Sequence, residues 1–467
     1  MERQTAILLA LVGYLGALLA LGFVAQRRTR SSSDFYLGGK TLGPWVTALA
    51  ANASSSSAWS LVGTSGFAYR FGLSALWLIP GCVGGFVLNW WLVAPRLRAQ
   101  TGSAITLTEF LAGPPGARGQ RSLAVYASVL TIVALATYVA AQMQAAGAAF
   151  AHAFTADLAF GIVIGAAVTV AYTLLGGYLA ASITDTLQGL LMVVVAVLVP
   201  AAAVVQLGGF DASWNAIAAV SVPGFQDVFS THHGGAALAF AFGLVGIGLG
   251  YPGQPHAVNK FMGMAPDASM AVARTVGIAW AVLLYGGMLV LGWTARSLWS
   301  LPAGAHEDVL YEASKQLFPP LIDGIVLASV LAAIMSTVDS QLLVCASSIT
   351  HDLGLRPKEP RAMLLLARGT VLGIGVLATG AALLLPKNVF DNVMFAWAAL
   401  GSGFGPLVLV RLCRGPVAPQ WALASMVVGS VGAIVGFYVP VVGKGFDDRV
   451  LAWVAALGCA LVGSRRR

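Results

Sequence analysis

The chain alternates between long apolar runs and short polar connections. The runs lie at roughly 6–25, 43–67, 74–95, 123–151, 158–178, 184–206, 235–251, 271–295, 318–349, 363–385, 389–411, 420–441 and 448–464. Most approach the ~20 residues that a helix needs to cross the hydrocarbon of a bilayer. Strands of a membrane barrel would be shorter, alternating and only half apolar. The pattern predicts an all-α polytopic membrane protein of about 13 transmembrane helices embedded in a lipid bilayer, with no room for a separate soluble domain.

Composition agrees with the pattern. Of 467 residues, 58% are hydrophobic and 9% are charged, whereas a soluble domain carries about 25% charged residues. That excludes an ordinary cytosolic enzyme, a disordered chain and a secreted disulfide scaffold. The net charge of +8 does not imply nucleic acid, because the basic residues stand at the ends of apolar runs, where they set orientation. Place the N-terminus outside. Of the 26 Lys and Arg residues, all but Arg3, Arg70, Arg296, Lys315, Lys387, Lys444 and Arg449 then fall on the inner side. The expected setting is a bacterial-type inner membrane, with the C-terminus cytoplasmic. The first run precedes the cluster Arg27, Arg28 and Arg30, so it reads as a retained helix and not as a signal peptide. Cys82, Cys345, Cys413 and Cys459 fit no metal spacing and read as packing residues. No HExxH, CxxC or Ser/His/Asp spacing is present, so no enzyme is expected.

Two runs are weak as helices. The second carries Asn52–Ala53–Ser54–Ser55–Ser56–Ser57 at its centre. Asn and Ser compete for their own backbone, so this stretch is expected to unwind and line a polar cavity. The seventh contains Gly243, Gly246, Gly248, Gly250 and Gly253 with Pro252 and Pro255. Those residues break a helix, or, for the glycines, allow close helix packing. The two weak runs stand five apart, the spacing of a pair of five-helix repeats of inverted topology whose first helices are broken around a ligand. The expected division is a single transmembrane domain over 1–467. It comprises a first helix and inner loop at 1–42, a first repeat at 43–206, a second at 235–411, and two further helices at 412–467.

The ninth run carries a polar stripe. At 100° per residue, Ser329, Ser336, Thr337, Ser340 and Ser347 fall with Ala333 in one arc about 100° wide, and Asp339 lies beside Ser336. A hard monovalent cation such as Na⁺ prefers neutral hydroxyls and freed carbonyls. Ser336 and Thr337 can supply the former, and Ala53, Ser56 and Ala333 the latter. The alternative is that these are small packing residues bonded to their own helix. Asp185 and Asp339 lie within or at the margin of apolar runs, where an ionisable group is a functional candidate by default, or else a structural ion pair.

The segment Ser31–Asp34–Phe35–Tyr36–Leu37–Gly38–Gly39 through Leu42–Gly43–Pro44 resembles the sodium:solute symporter family, and within it the sodium/proline symporters. So do Thr184–Asp185–Thr186–Leu187–Gln188, Gly248–Leu249–Gly250–Tyr251–Pro252–Gly253–Gln254–Pro255–His256, Ala332–Ala333–Ile334–Met335–Ser336–Thr337, and Ala396–Trp397 with Phe404–Gly405–Pro406. The resemblance implies a LeuT-type five-plus-five core and sodium-coupled uptake. It places a Na⁺ site on Ala53, Ser56, Ala333, Ser336 and Thr337. It places a second cation site, seen in some members, on Asp185, Ser336, Asp339 and Ser340. The expected substrate-facing positions are Ser55, Ser57, Trp59, Tyr138, Ile247 and Tyr251. Ser55 replaces an Asp expected in the proline symporters, and Ile247 replaces a Trp.

The expected function is symport of a small organic solute, an amino acid such as proline or a related carboxylate, with Na⁺ as the co-transported ion, in a protein able to work as a monomer. The alternatives are a proton-coupled symporter of the same fold, or a sensor-like relative. The latter is disfavoured because Ser464–Arg465–Arg466–Arg467 follows the last run directly.

Overall fold

The computed structural model describes residues 2–26, 40–102, 104–114, 116–154, 156–175, 177–355, 359–384, 389–439 and 448–464. The segment Ser31–Gly39 lies outside the described residues. So do the basic residues Arg27, Arg28, Arg30, Arg356, Lys358, Lys387, Lys444 and Arg465–Arg467.

Every apolar run overlaps a helix. The first is α1, Arg3–Gln26. The second divides into α2, Pro44–Ser55, and, after a gap, a wide turn at Trp59–Gly63 that continues into α3, Thr64–Phe71. The third is α4, Ile79–Gln100, which meets the preceding helical stretch at a 64° bend. The short α5, Leu107–Ala112, is capped by the Thr106 side chain, which accepts from the Glu109 amide. Then come α6, Gln120–Phe154, α7, Leu158–Leu175, and α8, Tyr178–Gln206. A surface helix α9, Phe210–Ala218, precedes α10, Gly235–Gly246. A 3₁₀ segment, Ile247–Gly253, leads to α11, Pro255–Met262. The remainder are α12, Met270–Leu298, α13, Val309–Leu317, α14, Pro320–Ser347, α15, Pro360–Leu384, α16, Val389–Arg414, α17, Pro419–Tyr438, and α18, Asp448–Gly463.

Among the described residues, nine helices are long and apolar enough to cross a membrane, or ten with the bent pair, and Leu158–Leu174 and Val450–Gly463 are shorter. That is fewer than the expected thirteen. The break leaves α2 with only 12 residues, which is less than a crossing.

Helix α14 is the axis of the molecule. It packs against α1, α2, α6, α8, α11, α13 and α15, and Val326–Ser347 is buried without interruption. The polar stripe expected on one face is therefore part of a helix enclosed on all sides. Helices on the perimeter turn apolar side chains outward at helical spacing, as Val125, Val129 and Val133 do on α6. Such a surface suits lipid and not water. Cys82 and Cys345 are buried as packing residues, whereas Cys413 is exposed.

The start of the first broken helix and the end of the second are tied together. The Leu42 amide donates to Gly263 at 3.2 Å, and the Ala265 amide to Leu42 at 2.9 Å. This bridge lies just before α2 and just after α11. Further along α2, Trp280 Nε1 on α12 donates to Gly189 O on α8 at 2.6 Å, and the missing Gly189 side chain lets α2 approach α8 at Leu49 and Ala53.

Candidate functional site

The polar run in the second span ends its helix later than its composition implies. Asn52, Ala53, Ser54 and Ser55 are all helical. Asn52 is satisfied across helices: its Nδ2 donates to Gly277 O at 2.7 Å, and its Oδ1 accepts from Trp90 Nε1 at 3.1 Å. With the side chain engaged elsewhere, it does not compete with the local ladder. The expected unwinding over Asn52–Ser57 is thus confined to Ser56 and Ser57. Ser56 takes an extended backbone at φ −120°, ψ 96°.

The other side chains around this gap hold it open. The Ala58 amide donates to Gln142 Oε1 on α6 at 3.2 Å. The Tyr138 hydroxyl donates to Ser57 Oγ at 3.2 Å, and the Trp59 amide donates to the same oxygen at 3.3 Å. Gln142 and Tyr138 lie one helical turn apart on one face of α6.

The second break is made by the backbone. Ile247–Gly253 is 3₁₀, and Gln254 takes φ −95°, ψ 98° before Pro255 starts α11. A Cβ on Gly253 would meet Gly401 Cα at 2.7 Å, Leu400 O at 2.7 Å and Gly405 N at 2.8 Å, so only glycine lets α16 pack here. The expected alternatives of a broken helix and close packing are both realised in one segment. Trp397 Nε1 donates to Ile247 O at 3.2 Å, and its ring stands T-shaped against Tyr251 at 4.7 Å.

The candidate cation ligands converge between α2 and α14. The Ser336 hydroxyl donates to Ala53 O at 3.1 Å and is 3.2 Å from Ala333 O. The Ser56 amide returns to the same Ala53 carbonyl at 3.2 Å. Ser56 Oγ and Thr337 Oγ1 are buried and have no hydrogen-bond partner among the described residues. Buried hydroxyls are nearly always paired, so these two stand out as candidate oxygen ligands. Among the described residues, no group of three or more His, Cys, Asp or Glu could hold a transition metal.

The six positions expected to face substrate fall into two adjoining groups, since Trp59 stands 6.4 Å from the Tyr285 ring. Ser57, Tyr138 and Trp59 gather at the first break. Tyr251 belongs to a second group, since its hydroxyl is 3.0 Å from that of Tyr285, which in turn is 3.1 Å from Ser60 Oγ. Ile247 is 5% exposed and sits under Trp397. Ser55 turns away: its hydroxyl donates back to Ala51 O at 2.9 Å and Asn52 O at 3.1 Å within its own helix. A serine short enough to bond its own backbone does so, which an Asp in its place would not.

Asp185 and Ser340 are brought together, joined by Ser54, and Asp339 directly precedes Ser340 on α14. Ser54 Oγ donates to Asp185 Oδ2 at 3.1 Å and is 2.9 Å from Ser340 Oγ. Lys260 Nζ also reaches Asp185 Oδ2 at 2.8 Å. Sequence reasoning placed Lys260 in an inner loop as an orientation signal; it is 1% exposed. It also missed Gln142 and Tyr285. A Lys six residues after a Gly-Pro break, within a helix length of apolar residues, was the available signal for the first. For the other two the sequence offers none, since their roles depend on which helices meet.

A sequence profile described as the sodium:solute symporter family matches residues 35–429. The chain is 36% identical over 442 residues to the osmoregulated proline transporter OpuE of Bacillus subtilis (strain 168), covering 92% of this chain and 88% of that protein. It is 34% identical over 449 residues to the sodium/proline symporter of Escherichia coli (strain K12), covering 93% and 88%. Among solved structures, a Na⁺-coupled sialic acid symporter in a substrate-bound outward-open state superimposes with a TM-score of 0.81 at 16% identity, over 100% of this chain and 99% of that one. Mhp1, a nucleobase-cation-symport-1 family transporter, does so with a TM-score of 0.55 at 16% identity, over 93% and 94%. At such identities the likeness is one of fold, and that fold is the LeuT-type five-plus-five inverted repeat.

Proposed function

The chain belongs to the sodium:solute symporter family, and from that premise we propose that it imports proline or a closely related small carboxylate together with Na⁺. It is an integral membrane secondary transporter and not an enzyme. The N-terminus lies outside and the C-terminus in the cytoplasm, as the distribution of basic residues favours.

One observation carries the reading. The Ser336 hydroxyl rests on the Ala53 carbonyl, with the buried Ser56 and Thr337 hydroxyls unpartnered beside the break. A Na⁺ ion held by Ala53, Ser56, Ala333, Ser336 and Thr337 satisfies all of these oxygens at once. It links the interrupted α2 to the continuous α14, so its binding favours the arrangement in which the two are in register.

The solute then occupies the space between the breaks. Its carboxylate meets amide donors: the Gln142 Nε2, which is buried without a partner, and the N-terminal end of the helix that restarts at Ala58. Its apolar body rests on Trp59, Tyr138 and Tyr251. Ser55 supplies no charge to this space, and Ile247 in place of an aromatic leaves the wall at Trp397.

Uptake of radiolabelled proline into proteoliposomes tests the proposal. An inward Na⁺ gradient is expected to drive accumulation, and its replacement by K⁺ to abolish it. Equal uptake in Na⁺-free buffer, driven by a proton gradient instead, would transfer the coupling to protons.

A further inference from the structure

We propose that Trp453, on the last helix α18, is a positioning residue for the solute: its indole N–H replaces the backbone donor that Pro252 lacks, and so fixes the second break with Tyr251 turned toward the solute space. The inference rests on the reading above that the solute lies between the two breaks.

The missing donor is set by the sequence. In a 3₁₀ ladder the amide of residue i donates to the carbonyl of residue i−3. Within Ile247–Gly253 the partner of the Leu249 carbonyl would be residue 252, which is Pro and has no N–H. A buried carbonyl left without a donor is costly, and a distant helix supplies one. Trp453 Nε1 donates to Leu249 O at 3.1 Å. The indole reaches it because position 405 on α16 is glycine: a Cβ there would stand 3.0 Å from Trp453 Nε1 and 3.2 Å from Leu249 O. Helix α18 is braced in turn, since Ser425 Oγ on α17 donates to Ala456 O, one turn beyond Trp453, at 2.8 Å.

Packing does not fix the segment from this side. Between it, α16 and α18 lies a cavity of about 20 Å³, lined by Ile247, Leu249, Trp397, Val450 and Trp453, with room for about one water. Two indoles from two helices hold the segment across that space, Trp397 on Ile247 O and Trp453 on Leu249 O. Tyr251 follows two residues later. Its ring lies 4.7 Å from Trp397 and 4.8 Å from Phe86 between centroids, and its hydroxyl is 3.0 Å from that of Tyr285. Releasing Leu249 lets the segment shift into the cavity and carries Tyr251 with it. The oxygens at the first break belong to α2 and α14 and are left as they are.

Hydrogen exchange of the purified full-length protein without Na⁺ or solute, paired with proline uptake in proteoliposomes, tests this on Trp453→Phe, which keeps a ring and loses the donor. Exchange over residues 246–254 is expected to quicken about tenfold, and that over 54–60 to stay as in the wild type. The KM for proline is expected to rise about fivefold to tenfold, while the Na⁺ concentration that half-maximally raises Tm without solute is unchanged. Val450→Ala is the control: Val450 packs beside Gly246 from the same face of α18 and offers no hydrogen bond. There KM and exchange at 246–254 should stay within about twofold of the wild type even where Tm falls. Unaltered exchange at 246–254 in Trp453→Phe would overturn the inference, as would an equal rise in KM in both variants. A wild type that takes up no proline would remove the solute reading, and the exchange pattern alone would then decide whether Trp453 holds the break. Should Trp453→Phe not fold, Trp453→Met, which also fills space without a donor, takes its place.

Discussion

The two interruptions have nearly the same backbone and opposite chemistry. Ser56 and Gln254 are both extended, at φ −120°, ψ 96° and φ −95°, ψ 98°. The second break is written in glycine and proline and locked by backbone contact with α16. The first consists of residues that form helix up to Ser55 and is held open by side chains from α6 and α14. Its geometry depends on contacts, so an ion or solute that adds contacts can shift it. One break is a fixed frame, and the other is the part that responds.

The contrast can be broken most forcefully at Gly253. Replacement by Ala puts a Cβ within 2.8 Å of three backbone atoms that have no rotamer to change. The expected cost is about 3 kcal/mol or more, seen as lost monodisperse protein and a lowered Tm. Normal yield and Tm would mean that the second break is not locked. At the first break the same test moves function and not folding. The double variant Ser336→Ala/Thr337→Ala is expected to raise the half-saturating Na⁺ concentration about tenfold while Tm without Na⁺ changes little. An unchanged Na⁺ dependence places the ion elsewhere. Tyr138→Phe removes one neutral hydrogen bond to Ser57. A rise of about threefold to tenfold in the KM for solute is expected, with the Na⁺ dependence kept, because one such bond contributes about 1 kcal/mol. A shift in Na⁺ dependence alone would assign Tyr138 to the ion. The smallest effect belongs to Gly286→Ala on α12, where nothing lies within 4 Å. It should stabilise by about 0.5–1 kcal/mol, which would show that the penalty at Gly253 comes from contact and not from glycine as such.

Much of this was legible in the sequence, for physical reasons. Apolar run length gave the helices, because a bilayer demands a minimum length. The serine run and the Gly-Pro run marked the breaks, and the 100° arithmetic put Ser336, whose hydroxyl reaches Ala53 O, in one polar arc. What was hidden depends on tertiary neighbours. Asn52 reads as a helix breaker but is claimed by Trp90 and Gly277, so the helix runs on past it. Ser55 reads as a site residue but bonds back to its own turn. Lys260 reads as a loop cation, because no local pattern says that α8 will present Asp185 and Ser182 to it.

Hydrogen exchange at both breaks, followed by mass spectrometry with and without Na⁺, tests the central claim most directly. Caging an ion between the Ala53 carbonyl and the α14 hydroxyls should slow exchange over residues 54–60 and leave residues 246–254 unchanged, with the protection lost in Ser336→Ala/Thr337→Ala. Equal protection at both breaks, or none at the first, would contradict the account.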